Sequence, residues 1–141
     1  LQFCVEKKRD WFLRTLREFG NCGKIAYHNG KPIGYTQYAP ITRLPQAKNY
    51  GSKHLEKPEE GVVFLSCLYI SNKSMRGKGV GTQLLKHVID ELRKRGFRTV
   101  ETFARRGSSN NPSGPIELYS KKGFYVKEEL GSEYVLVRLD L

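Results

Sequence analysis

An uncharged run, Val62–Ile70 (VVFLSCLYI), is followed after a short turn by Arg76-Gly77-Lys78-Gly79-Val80-Gly81 and then by a stretch with helical periodicity. Val80, Leu84, Leu85, Val88, Ile89 and Leu92 mark one face of that helix, which ends at Gly96. No other feature constrains the chain as tightly. An apolar run of this kind reads as a central strand covered on both faces. Glycines in the turn let the backbone approach a ligand closely and adopt positive φ. The first amides of the following helix have no partners inside it, and the dipole adds about half a positive charge there. Arg76 and Lys78 contribute full charges, so strand, loop and helix together predict a diphosphate site.

Two other phosphate loops do not fit. A Walker A loop needs Ser or Thr after its lysine and a glycine where Asn72 stands, and here Gly79 follows Lys78. The dinucleotide fingerprint needs its third glycine one place beyond Gly81, with an acidic residue ending the next strand.

Around this unit the chain reads as alternating elements. Phe12, Leu13, Leu16 and Phe19 recur at helical spacing between Val5 and Phe19, which predicts an amphipathic helix with those residues inward. Lys24–His28 and Ile33–Tyr38 read as strands joined across Asn29-Gly30, a pair suited to a type I′ turn, with Pro32 placed where an N–H is not needed. From Ala39 to Gly61 the pattern dissolves into Pro, Gly, Lys and Glu, as in a functional or mobile loop, which we expect to border the acceptor of any reaction. Asp90 with Lys94 and Glu91 with Arg95 read as ion pairs on the wet side of the glycine-loop helix. Phe97–Phe103 reads as a strand, Asn110–Gly114 as a turn, and Pro115 as the first position of a short helix reaching about Lys122. A closing hairpin pairs Phe124–Leu130 with Glu133–Leu139. The order predicts an α/β layered fold (α+β in some schemes), with one domain over residues 1–141.

Arg76, Gly79 and Gly81 also match, place for place, the pattern of Arg or Gln, two free positions, Gly, one free position, and Gly or Ala that marks the GNAT superfamily of N-acetyltransferases. Further on, Leu118-Tyr119-Ser120-Lys121-Lys122-Gly123-Phe124 resembles the L-Y-x-K-x-G-F found near the end of those domains. The resemblance covers roughly Lys24 to Leu141 and implies a mixed central sheet, flanked by helices, in which two parallel strands splay. It implies acetyl-CoA as cosubstrate, with no metal, and direct transfer to a primary amine of a small molecule or peptide. Strand amides at Leu68, Tyr69 and Ile70 would then hold the pantetheine arm, and those of Arg76, Gly77, Lys78, Gly79, Val80 and Gly81 the pyrophosphate. Tyr119 would protonate the departing thiolate, its ordinary pKa of about 10 being comparable with a thiol's. Asn111, with Asn110 beside it, lies one residue off the usual spacing for a contact to the cofactor arm. For a base, the family's strand carboxylate would be Glu101, with Tyr69 as an alternative; a salt-bridged or solvated Glu101 is the competing reading. Members of the family usually open with a strand before the first helix, and only Leu1–Cys4 could serve here. Either that strand precedes Leu1 in a longer chain, or another element supplies part of the acceptor side.

Composition closes off several classes. No stretch approaches the roughly 20 apolar residues needed to span a membrane. Cys4, Cys22 and Cys67 make neither a disulfide framework nor a four-ligand zinc site, and read as reduced thiols of a cytoplasmic protein, with Cys67 a buried strand residue. His28, His54 and His87 read as surface histidines. The net charge of +11 admits a basic nucleic-acid-binding module as an alternative, through Arg93-Lys94-Arg95 with Arg98, Arg105 and Arg106. The tyrosines do not interleave with that cluster as stacking platforms would. A GNAT fold that binds acyl-CoA without catalysis is the third reading, and a homodimer is compatible with each.

Overall fold

In a computed structural model of the chain, which describes residues 2–107 and 115–141, the Val62–Ile70 run is a strand near the middle of a six-stranded mixed sheet. The elements are α1 (Gln2–Glu18), β1 (Gly23–His28), β2 (Lys31–Ala39), β3 (Val62–Ile70), α2 (Val80–Lys94), β4 (Thr99–Arg105), α3 (Ile116–Ser120), β5 (Tyr125–Leu130) and β6 (Tyr134–Asp140). Across the sheet the order is β1-β2-β3-β4-β6-β5, antiparallel throughout except where β3 and β4 run parallel. Asn29 and Gly30 have φ of 51° and 76°, the doubly positive turn that joins β1 to β2. Pro32 sits opposite Tyr27 at a register irregularity, where a missing donor costs least.

Strand alternation sends side chains to two cores. Val63, Leu65, Val100, Ala104, Val135 and Val137 face α2, whose Leu84, Leu85, Val88, Ile89 and Leu92 are all buried against them. Phe64, Phe103 and Leu136, one residue out of phase, face the opposite side and are covered by Ala39, Leu44, Ala47 and Leu55. The segment 39–61 is therefore a packed cover. It is organised by 3-10 turns at Ile41–Arg43, Pro45–Tyr50 and His54–Glu56, each too short to show a period in the sequence.

Four expectations are corrected. Along α1 it is Trp11 and Thr15 that turn inward, with Phe19 packing at its end, while Phe12, Leu13 and Leu16 are 43, 45 and 42% exposed. The indole N–H of Trp11 donates to the Arg43 carbonyl at 2.7 Å, which ties that face of the helix to the cover. The fourth strand begins at Thr99, because Phe97 leaves the sheet to pack on Phe19, ring centroids 5.4 Å apart. Pro115 is the residue before α3, with an extended ψ of 153°, and not its first helical position. Of the two expected pairs on α2, Glu91–Arg95 forms at 3.0 Å, with Glu91 half-buried and also accepting from Asn21, Lys24 and Tyr38, whereas Asp90 and Lys94 form no ion pair among the described residues. Among the described residues no helix is long and apolar enough to cross a membrane.

Candidate active site

The site begins where two strands part. β3 and β4 pair only at Val62–Thr99, Val63–Val100 and Phe64–Glu101; beyond that β3 continues beside β2 to Ile70, and β4 beside β6 to Arg105. Two local devices hold the fork. Gln37 pairs with Cys67 and Tyr38 with Leu65, so Ser66 is an extra residue on β3, a bulge of the kind that bends a strand and re-aims its side chains. The Thr102 hydroxyl then donates to the Leu65 carbonyl at 2.7 Å, spanning the strands just past their last pair. After the bulge Leu68 returns to the α2 side, whereas Tyr69 lies against Tyr35, ring centroids 5.9 Å apart.

The glycine loop stands beyond the end of β3. Asn72 accepts from the Ser74 amide at 3.0 Å and caps a tight turn, Lys73–Met75, that delivers the chain to Gly77. Gly77 and Gly79 have φ of 75° and 85°, conformations costly for any residue with a Cβ. A Cβ at either would meet nothing within 4 Å, so the space beside this backbone is open to a ligand. Gly79 is the N-cap of α2, and its carbonyl takes the Gln83 amide at 3.0 Å. No backbone carbonyl among the described residues makes a well-formed hydrogen bond to the amides from Gly77 to Thr82. Those amides and the exposed Lys78 fit a phosphorylated group. Arg76 points back to the strand: its Nε donates to the Ile70 carbonyl at 3.1 Å and its guanidinium lies 5.7 Å from the Tyr69 ring centre. At Gly81 a Cβ would meet Leu118 and Leu68 at 3.8 and 3.9 Å, ordinary contact, so alanine would fit there equally.

Tyr119, on α3, reaches the fork from the α2 side. It is 0% exposed, its ring edges onto Phe124 at 5.2 Å, and burial pushes its phenol well above the ordinary tyrosine range, a hydrogen bond with Thr102 opposing. Such a group keeps its proton at any physiological pH, so it can serve as an acid and not as a base, and burial makes it a weaker acid than the ordinary tyrosine expected from the sequence. Thr102 thus links the Leu65 carbonyl to Tyr119 at the point where the strands diverge. Cys67, the next residue along from the bulge, is half-buried; burial raises its thiol pKa, and the Tyr35 hydroxyl pulls the other way.

On the other side of the sheet the fork opens into a cleft of about 370 Å³. Its floor is Phe64 and Ser66 of β3 with Phe103 of β4, and its walls come from α1 and the 39–61 cover.

Glu101 also faces this side but lies outside the cleft. It is 1% exposed and opens on a small cavity shared with His54, Leu55 and Phe64. Its Oε1 lies 2.9 Å from His54 Nε2 and 3.4 Å from Arg138 Nη1; its Oε2 is buried without a hydrogen-bond partner among the described residues. Arg138, directly opposite Glu101 on β6, also binds Glu59 at 3.2 Å and, beside Glu59, holds that carboxyl below the usual range. His54, Glu59 and Glu101 each offer a donor atom within 4.8 Å of the others, a metal-like grouping. Arg138 already serves as the cation of that cluster, which fits the chemistry poorly to a metal ion. His54 is thereby corrected from a surface histidine to the lid of a buried carboxylate, while His28 and His87 are exposed as expected.

Comparison with known proteins decides the family. The profile of the acetyltransferase (GNAT) family matches residues 2–124. This chain belongs to that family. An uncharacterized N-acetyltransferase of Methanocaldococcus jannaschii is 31% identical over 119 residues, which are 84% of this chain and 46% of that protein. The chain therefore spans about half the length of this curated relative. The fold is shared with a ribosomal-protein-alanine N-acetyltransferase from Brucella melitensis (TM-score 0.67, 21% identity, 96% of this chain and 78% of the other). It is shared also with a PaiA N-acetyltransferase from Thermoplasma acidophilum solved with coenzyme A (TM-score 0.65, 18% identity, 96% and 70%).

Most of the residues singled out in this GNAT chain converge. Leu68, Tyr69 and Ile70 line the outer part of β3, the loop Arg76–Gly81 stands beyond them, and Tyr119 closes the fork; Glu101 is apart, and Asn110 and Asn111 lie outside the described residues. Three contributors were not foreseen: Thr102, the Ser66 bulge and the contacts of His54 and Arg138 to Glu101. Only Arg138 leaves a signal, as the one cation within the apolar strand YVLVRLD. The basic cluster offered for nucleic acid is dispersed by pairing. Arg95 binds Glu91, Arg98 the Glu60 carbonyl, Arg105 Glu133 and Arg106 Glu129, which leaves Arg93 and Lys94 exposed on α2.

Proposed function

We propose that this chain, acting as one domain over residues 1–141, binds acetyl-CoA and transfers the acetyl group directly to a primary amine. The observation that carries the reading is the parting of β3 and β4 after Phe64–Glu101, with unengaged amides at one end and a buried phenol at the crotch. The coenzyme A complex of the Thermoplasma neighbour, which shares this fold, supports it. Acetyl-CoA supplies the acetyl group as a thioester. The loop amides from Gly77 to Val80 bind the pyrophosphate, aided by Lys78, and the free edge of β3 at Leu68–Ile70 takes the amide-bearing arm as an added strand would. The acceptor nitrogen forms the new C–N bond as the C–S bond breaks. Tyr119 Oη donates a proton toward the sulfur, the amine nitrogen releases one to solvent water in the cleft, and Tyr119 is reprotonated from solvent after the products leave, so the protons balance.

Titration calorimetry with acetyl-CoA tests this directly. A dissociation constant of about 1 μM, ~8 kcal/mol, is expected for the wild type. Gly77→Ala and Gly79→Ala force a Cβ into positive φ at a cost of roughly 1–2 kcal/mol, and each should weaken binding about tenfold or more. A folded protein that takes up no acetyl-CoA at millimolar concentration refutes the proposal.

A further inference from the structure

The cleft on the far side of the fork carries information about the acceptor, given the acetyl-transfer reading above. At about 370 Å³ it lies at the small end of ligand sites, which run from roughly 300 to 1,000 Å³. Its apolar surface is mostly aromatic. Tyr50 stacks on Phe103 with ring centroids 4.3 Å apart and planes at 26°, Phe64 meets Phe103 edge-on at 5.0 Å, and Trp11 stands across from them. These rings favour a flat or bulky apolar body.

The charges are one-sided. Lys8 and Arg43 line the cleft, and no Asp, Glu or His is among its described lining residues. Arg43 is neutralised by Glu18. Lys8 has no charged partner among the described residues: its Nζ donates to Gln37 Oε1 at 2.8 Å and lies 5.3 Å from the Trp11 ring centre, and both are uncharged. A cation held over low-dielectric aromatic walls attracts an anion and repels a second cation. It also lowers the pKa of an ammonium bound beside it, which brings the amine to its nucleophilic form where no carboxylate lines the cleft.

We propose that the acceptor is a small amine that also bears a carboxylate and an apolar, preferably aromatic, body, of which a free aromatic amino acid is the simplest case. The amine lies on the floor at Ser66, between the splayed strands; the carboxylate meets Lys8; the body fills the aromatic wall. Polyamines and other multiply cationic amines are excluded by the same charge.

Trp11 is the chain's single tryptophan and lines the cleft, so its fluorescence reports occupancy without acetyl-CoA. The protein is titrated with L-phenylalanine, with L-phenylalaninamide, which lacks the carboxylate, and with spermidine. We expect phenylalanine to bind at least tenfold more tightly than its amide. Lys8→Met should erase that preference, Lys8→Arg should keep it, and spermidine should not compete. Equal or tighter binding of the amide, competition by spermidine, absence of any phenylalanine response, or a preference that survives Lys8→Met overturns the inference. The two readings fail separately. Acetyl-CoA binding without phenylalanine binding sinks the acceptor chemistry alone; phenylalanine binding without acetyl-CoA binding sinks acetyl transfer and leaves the cleft.

Discussion

Glu91→Gln tests how the glycine-loop helix is held in place. Glu91 sits on the last turn of α2 and receives four hydrogen bonds: from Asn21 at 2.7 Å, Lys24 at 2.9 Å, the Tyr38 hydroxyl at 2.7 Å and Arg95 at 3.0 Å. Burial alone would raise its pKa, yet these donors outweigh burial and bring the carboxyl from 4.5 down to about 2. At roughly 1.4 kcal/mol per pKa unit, the carboxylate form is favoured in the fold by about 3 kcal/mol. With the carboxylate about one-fifth exposed, 21%, solvent screening trims this to about 2–3 kcal/mol. The sign follows from the depression. The contribution is complete above the unfolded value of 4.5 and is lost as pH falls toward about 2. Glu91→Gln, which keeps the shape but not the charge, should therefore lose about 2–3 kcal/mol near neutral pH, on the order of 10 °C in Tm. Urea unfolding of both proteins near pH 7 and at steps below about pH 4.5 reads this out, and the gap should close by roughly 1.4 kcal/mol per pH unit in that acid range. Equal midpoints near neutral pH, or a gap that stays constant on acidification, would show that Glu91 does not anchor α2.

Two substitutions separate chemistry from architecture at the fork. Tyr119→Phe keeps the ring contact with Phe124 and removes only the phenol, so kcat should fall by tenfold or more while the KM for acetyl-CoA holds; unchanged kcat in a steady-state assay removes Tyr119 from proton transfer. Glu101→Gln leaves Arg138 and His54 facing a neutral group in a buried site, and should cost about 1–3 kcal/mol in denaturant unfolding with kcat nearly intact. A large loss of kcat at unchanged stability would instead make Glu101 the base.

The sequence made β3, the glycine loop and α2 legible because each carries a local signature: an apolar run, positive-φ glycines, and a 3.6-residue period ending at a glycine. The asparagine–glycine hairpin was legible for the same reason. What escaped was whatever two distant segments build together. The inward face of α1 is chosen by the sheet and by the Arg43 carbonyl, so Trp11 and Thr15 won over a longer apolar stripe that propensity alone would bury. The cover at 39–61 buries Leu44, Ala47 and Leu55 through single turns, and irregular spacing of that kind reads as loop in any one sequence.

The same distinction governs the site. The loop proposed to bind phosphate is written in glycines, but the fork is made by a bulge at Ser66 and by Thr102, residues with no special composition, whose roles arise only from strand register. Because register sets both, one bond couples the two halves of the site. Thr102 holds the Leu65 carbonyl of β3 and also Tyr119 of α3, so the angle between β3 and β4 and the position of the phenol are not independent. Thr102→Val would leave the buried Leu65 carbonyl without its donor, a loss of roughly 1–3 kcal/mol, and would remove the hydroxyl that bonds the phenol at the same stroke. Stability and kcat should therefore fall together for Thr102→Val and separately for Tyr119→Phe, and that contrast, measured by unfolding and steady-state rates on the same samples, is what a fork built on a shared hydroxyl requires.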